Sequence, residues 1–392
     1  MSSTSIPQTM KALVQHAAEH KAEVKNVPVP KLDKNEILIK VAYVAQNPIG
    51  TSISHVVRAN EVMLIPASYV DYKMSSLGMS PPNSILGFDF SGIVAALGED
   101  LSNPFVKIGD RVAGMVHGGM FTDKGSFAEY VRAASDLVWF VPSNLGLRAA
   151  AGVTATLGTA AQALFAKLDL PYPLSQPERP SDDPAKCIAI YGGSSSVGLF
   201  AIQLAKFVGY KVVTTCSPRN FNLVKEYGAD VVVDYHDAEV AIQEIRNVTS
   251  GRLTKALDCI SADNSAILCL KALADDDSHG KRKLVQVGPP TVEAEQFAKE
   301  RGIELDRLMA FTLFGNPVTL GPGFTVPASP SDRAFYAKLN HDIPTLIEKF
   351  GLKPNPITDM QNGLQGIVDE GFGLMQSGKV SATKLVYRVS EV

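Results

Sequence analysis

The chain has four cysteines, Cys187, Cys216, Cys259 and Cys269, and no Cys-x-x-Cys pair among them. A zinc lobe or a disulfide framework needs closer or more regular ligands, so no metal is expected and the thiols read as buried structural groups. An excess of charge of one sign is also missing. The 37 Lys and Arg against 40 Asp and Glu leave a net charge of -3, without the basic surface that nucleic-acid binding requires. No apolar run approaches the roughly 20 residues of a membrane span. The start, Met1-Ser2-Ser3-Thr4-Ser5, has neither the basic opening nor the apolar stretch of a secretory signal. A cytoplasmic protein that binds neither nucleic acid nor membrane is the expectation. No internal repeat is present.

What is there is ordinary globular text, 392 residues of which 45% are hydrophobic, enough for two or three domains. Between residues 10 and 150, short β-like runs such as Glu36–Val44, Ser91–Gly98 and Asp110–Val116 are separated by Gly, Pro and Asp, which suits a compact β-barrel-like domain. From Ala149 to Leu164 the text turns Ala/Leu/Thr-rich and helical, and Pro171–Pro184 reads as a surface connector. Strands and helices then alternate. Cys187–Tyr191, Lys211–Cys216, Val231–Asp234, Ala256–Ile260 and Lys283–Gly288 are strand-like, with helical stretches at Val197–Val208 and Phe221–Tyr227. That alternation argues for a parallel, doubly wound sheet, an α/β fold. The tail adds two helices around Pro354-Asn355-Pro356 and a last strand, Lys384–Val389.

Between the first two strands of that series lies Gly192-Gly193-Ser194-Ser195-Ser196-Val197-Gly198. Gly193-x-Ser195-x-x-Gly198 is a variant of the Gly-x-Gly-x-x-Gly dinucleotide fingerprint, with Ser at the middle position. A Gly/Ser cluster alone marks only a turn. Here a strand precedes it, an apolar-faced helix follows, and a second strand comes about 20 residues on, which is the context the fingerprint needs. NAD-binding proteins place an acid at the end of that second strand. This chain has Cys216-Ser217-Pro218-Arg219-Asn220, with no acid. An Arg and a hydroxyl suit the 2′-phosphate of NADPH, and Tyr235 at the tip of the third strand adds a second hydroxyl. The alternative reading of Arg219 is a solvated surface charge.

Gly87-Phe88-Asp89-Phe90-Ser91-Gly92, Gly109-Asp110-Arg111-Val112, Gly125-Ser126-Phe127-Ala128-Glu129-Tyr130 and Gly228-Ala229-Asp230 together resemble the blocks of the medium-chain dehydrogenase/reductase superfamily, quinone-oxidoreductase branch. The resemblance runs over nearly the whole chain from Met10. Within that group, Tyr191–Ser194, Thr215–Pro218, Asn220-Phe221, Leu257–Ile260 and Phe311–Gly315 are most similar to fungal trans-acting enoyl reductases of polyketide pathways. The resemblance implies a GroES-like β-domain with a Rossmann domain inserted. Residues 1–165 would form the first part of the β-domain, 166–325 the NADPH-binding domain, and 326–392 the return. Zinc members carry a Cys and a Gly-His-Glu block where this chain has Asn47-Pro48 and Phe88-Asp89, so protein donors must supply the electrostatic help.

Relatives also carry a continuous Asn-Pro-x-Asp-x-Lys motif, interrupted here between Asn47-Pro48 and Val70-Asp71-Tyr72-Lys73. The segment 49–69 is either a genuine insertion or a retained intron. The reaction implied is hydride transfer to the β-carbon of an α,β-unsaturated (thio)ester. Lys73 would contact cofactor or substrate, Thr159 would hydrogen-bond near the nicotinamide, and Asn47 would orient the same region. Gly288, Pro289, Phe314 and Gly315 would line the carboxamide side, and bulk water would serve as proton source. The resemblance allows a polyketide synthase as partner and either a monomer or a homodimer. A quinone or enone reductase and a catalytically silent NADPH-binding protein remain the alternative readings.

Overall fold

The computed structural model describes residues 6–16, 21–47, 80–175, 186–262, 264–319 and 325–392. They form two compact units, the first running up to Ala155 and resuming over Phe311–Val392, the second covering Thr156–Ala310.

The first unit is built from both ends of the chain. Its early strands are β1 (Thr9–Gln15), β2 (Ala22–Pro28), β3 (Glu36–Gln46), β4 (Asp89–Leu97), β5 (Arg111–Met115), β6 (Tyr130–Ala134) and β7 (Val138–Phe140). Its late strands are the short pair β14 (Val318–Thr319) and β15 (Thr325–Val326), then β16 (Ile357–Met360) and β17 (Lys384–Arg388). A seven-stranded sheet runs β16-β17-β3-β4-β5-β7, with β6 also paired to β3. Phe90, Phe127, Trp139 and Tyr387 are almost fully buried there, and each such burial contributes about 1.5–3 kcal/mol.

Register sets one consequence for function. Leu385 of β17 pairs with Gln46 of β3, and Asp89 of β4 pairs with Ala45 of the same strand. The starts of β17 and β4 therefore flank the end of β3, so Lys384, Asn47 and Asp89 meet at one edge of three adjacent strands.

The segment Gly125–Tyr130, a strand block in the family it resembles, is a correction: regular pairing begins only at Tyr130. Ser126 and Phe127 donate instead to the carbonyls of Gly87 and Leu86, an irregular path that lets the Phe127 ring into the core.

The second unit holds β8 (Cys187–Tyr191), β9 (Lys211–Thr215), β10 (Val231–Val233), β11 (Lys255–Asp258), β12 (Lys283–Gln286) and β13 (Glu304–Arg307). All pairings are parallel, in the order β10-β9-β8-β11-β12-β13. Taking β8 as first, this is the 3-2-1-4-5-6 order of a Rossmann sheet. Helices Ser196–Phe207, Ala238–Val248, Ser265–Ala272 and Val292–Arg301 lie between successive strands. The chain reverses its winding between β8 and β11, and ligands of such sheets bind beyond the carboxyl ends of the strands at that point.

Candidate functional site

The loop Gly192–Gly198 lies just beyond β8, at that reversal. Gly192 has φ +79°, a left-handed backbone that an L side chain rarely adopts, and a Cβ there would also meet Ile260 Cγ1 at 2.5 Å. A Cβ at Gly193 would overlap the Thr214 hydroxyl, and one at Gly198 would lie 2.8 Å from Gly193 Cα. These glycines bring the Ser196–Phe207 helix against the strand ends. Ser195 has an extended backbone, φ -69° and ψ 159°, and its Oγ accepts from Gly198 N at 3.0 Å. It is therefore the helix N-cap, through a side-chain bond that the fingerprint's middle glycine cannot make and that the sequence reading missed. Ser194 Oγ accepts from Asn220 Nδ2 at 3.2 Å, which ties the loop to the turn after β9. Ser196 is buried and Val197 half-buried in the first helical turn. An anion there would meet the positive end of a twelve-residue helix.

The turn Pro218–Asn220 carries Arg219, which is exposed and has no carboxylate partner among the described residues. Ser217 Oγ and Tyr235 OH lie 3.2 Å apart, so two hydroxyls and the tip of β10 converge beside this turn. The Tyr235 ring stacks on His236 at 4.6 Å, and His236 in turn pairs with Asp234. Hydroxyls, a guanidinium and glycine-lined backbone fit a dinucleotide with a 2′-phosphate.

Across the reversal, Asp258 at the end of β11 accepts from Ile260 N and Ser261 N, both at 2.9 Å, and from Ser265 Oγ at 2.6 Å. Burial pushes its carboxyl above the usual range, against the pull of those three bonds. Ser261 Oγ accepts from Gly288 N at 2.8 Å, fixing the Gly288-Pro289 turn beyond β12. Thr159, half-buried on the Thr154–Ala161 helix, also belongs to this unit.

Asn47, Phe314 and Gly315 belong to the first unit. Lys73 and the segment 49–69 lie outside the described residues. Lys384 Nζ donates to Asn47 Oδ1 at 2.6 Å and to Asp89 Oδ2 at 3.0 Å, with Lys384 and Asp89 both fully buried. The other Asp89 oxygen accepts from Ala155 N at 2.7 Å. Zinc does not fit here: an ammonium already supplies the positive charge, and Phe88 offers no ligand atom. Lys384 was absent from the sequence-derived candidates, although a lysine opening an apolar strand signals a buried partner. The Lys384 bond also orients Asn47, since an amide oxygen facing an ammonium turns its NH₂ the other way.

Phe314 belongs to an aromatic group around His117, stacked on its ring at 5.3 Å and 19°. Gly315 has φ +81°, a turn conformation, and its N donates to Thr312 O at 2.9 Å. All four cysteines are free and buried. Burial pushes the Cys187 thiol up to about 12 and Cys216 up to about 11, so neither is a thiolate at neutral pH.

Residues 33–143 match the alcohol dehydrogenase GroES-like domain family, and residues 196–303 match the zinc-binding dehydrogenase family. A trans-enoyl reductase of Aspergillus niger is 36% identical over 98% of both chains. Another, of Trichoderma harzianum, is 34% identical over 98% of both. Among solved structures, the quinone oxidoreductase of Coxiella burnetii is 26% identical with a TM-score of 0.64, covering 97% of this chain and 100% of that one.

Proposed function

The chain belongs to the trans-enoyl reductases of the medium-chain dehydrogenase/reductase family, and from that premise we propose that it is an NADPH-dependent enoyl reductase of α,β-unsaturated thioesters, acting in trans on chains carried by a cytoplasmic polyketide synthase. The observation that carries this reading is the end-to-end likeness to named trans-enoyl reductases, in a chain whose metal-ligand positions hold Asn47, Phe88 and Asp89. When bound, NADPH supplies the hydride for the β-carbon. Gly193, Ser194, Ser195, Ser196, Val197 and Gly198 hold its pyrophosphate at the helix N-terminus. Ser217, Arg219, Asn220 and Tyr235 hold the 2′-phosphate. Asn47, aimed by Lys384, presents its NH₂ as a donor in the substrate region, and Thr159 and Lys73 complete the polar contacts. With no metal to polarise the carbonyl, fixed donors must stabilise the charge that develops on its oxygen.

The test is steady-state oxidation of NADPH by the purified chain with crotonyl- and longer enoyl-thioesters, beside quinones and small enones. Turnover of the thioesters is expected. Quinone turnover without thioester turnover would make it a quinone reductase, and tight cofactor binding without turnover on any acceptor a binding protein.

Arg219→Ala should weaken NADPH binding about tenfold to a hundredfold while leaving NADH nearly unchanged, the loss of one charge-assisted contact. Fluorescence titration of both cofactors measures it. An unaltered NADPH-to-NADH ratio would place Arg219 outside the phosphate site.

A further inference from the structure

His117, two residues beyond β5, is 6% exposed, and its Nε2 has no hydrogen-bond partner among the described residues. Aromatic rings enclose it. Phe311 lies at 4.7 Å, Phe314 is stacked at 5.3 Å, Phe121 is edge-on at 5.7 Å and Phe88 is at 6.3 Å. A polar atom buried without a partner costs about 1–3 kcal/mol, and such atoms in folded proteins call for a reason. Phe88 stands in the sequence where zinc-dependent relatives carry a ligand histidine, and the imidazole lies 6.3 Å from its ring. Burial, reinforced by the Lys124 ammonium, pushes the imidazole down to about 3, so at neutral pH it is uncharged and one nitrogen carries a proton to donate. Three of the four rings are buried or half-buried. Phe121 is 43% exposed, so the fourth ring reaches the surface.

Resting on the enoyl reductase reading, we infer that His117 is a catalytic residue whose Nε2–H donates to the thioester carbonyl oxygen, while Phe88, Phe311 and Phe314 hold the adjoining carbons of the acyl chain. A neutral donor strengthens its bond as that oxygen gains charge, and low polarity around it magnifies the effect.

His117→Phe keeps an aromatic ring in the box and removes the donor. It should lower kcat/KM for enoyl-thioesters on the order of 100-fold, as loss of one oxyanion donor does elsewhere. NADPH affinity should stay within about twofold of wild type, as the cofactor's phosphates contact other residues. His117→Gln, which retains an N–H, should recover about tenfold of the loss. In ¹⁵N-histidine-labelled wild type, the Nε2 resonance should move when a saturated hexanoyl-thioester is added. A His117→Phe enzyme with kcat/KM within twofold of wild type would overturn the inference, as would an Nε2 resonance unmoved at saturating thioester. If wild type reduces no enoyl-thioester, the functional reading falls, and the resonance alone decides whether His117 meets the acyl oxygen.

Discussion

Lys384→Met is expected to destabilise the first unit by about 3–5 kcal/mol, the effect of stranding one member of a buried ion pair. Neither Lys384 nor Asp89 has side-chain exposure, so no water reaches Asp89 when the ammonium is gone. Among the described residues, the carboxylate would keep only the Ala155 N–H on its other oxygen. Lys384→Arg should fail as well, because a larger, planar guanidinium would have to fit a site with no side-chain exposure whose two oxygen acceptors are set for an ammonium. Adding Asp89→Leu to Lys384→Met removes both charges and should recover most of the loss, the non-additivity that marks a direct partner. Trp139, the chain's one tryptophan, is buried in this unit, so its fluorescence in a urea titration follows the unit that holds the pair. A single-substitution loss below about 1 kcal/mol would mean that the pair is not a buried ionic contact.

What could be read from the sequence was what local chemistry writes. The strands β8 and β9 are apolar runs bounded by glycine or a cap, and the loop between β8 and its helix carries its whole backbone requirement within seven residues. The edge strand β13 has no such signature. Glu304-Leu305-Asp306-Arg307 is half-buried at every position, so no alternation of apolar and polar residues announces it. Gly125–Tyr130 failed for a different reason, since its likeness to a strand block of the family does not show the irregular path that its backbone takes before Tyr130.

The candidate site divides along the same line. Ser195 caps its helix through Gly198 only three residues on, and Asn220 reaches Ser194 from the turn that ends the adjacent strand β9, 26 residues away. Lys384 is separated by 295 residues from Asp89 and by 337 from Asn47, and only the β17–β3–β4 register brings the three together. His117 was equally hidden, because its rings come from Phe88, Phe121 and the Phe311–Phe314 turn. A single histidine at a strand end is unremarkable until those partners are known.

The same burial that hides His117 gives the first unit a sensitivity to acid. In the unfolded chain its imidazole takes up a proton near the ordinary 6.5, whereas in the folded chain it stays neutral until about 3. Between those values the unfolded state binds more protons, so stability is full above about pH 6.5 and declines as the pH is lowered toward 3. Each pH unit in that interval is worth about 1.4 kcal/mol. From pH 7 to pH 4.5, wild type should therefore lose roughly 2–3 kcal/mol more than His117→Phe, which cannot take up that proton. Carboxylates that titrate below pH 5 act on both proteins alike, so the difference between them isolates the imidazole. Urea midpoints followed through Trp139 at the two pH values give that difference directly. Parallel losses in the two proteins would mean that the folded imidazole takes up its proton as readily as the unfolded one, so that burial does not hold it neutral through this interval.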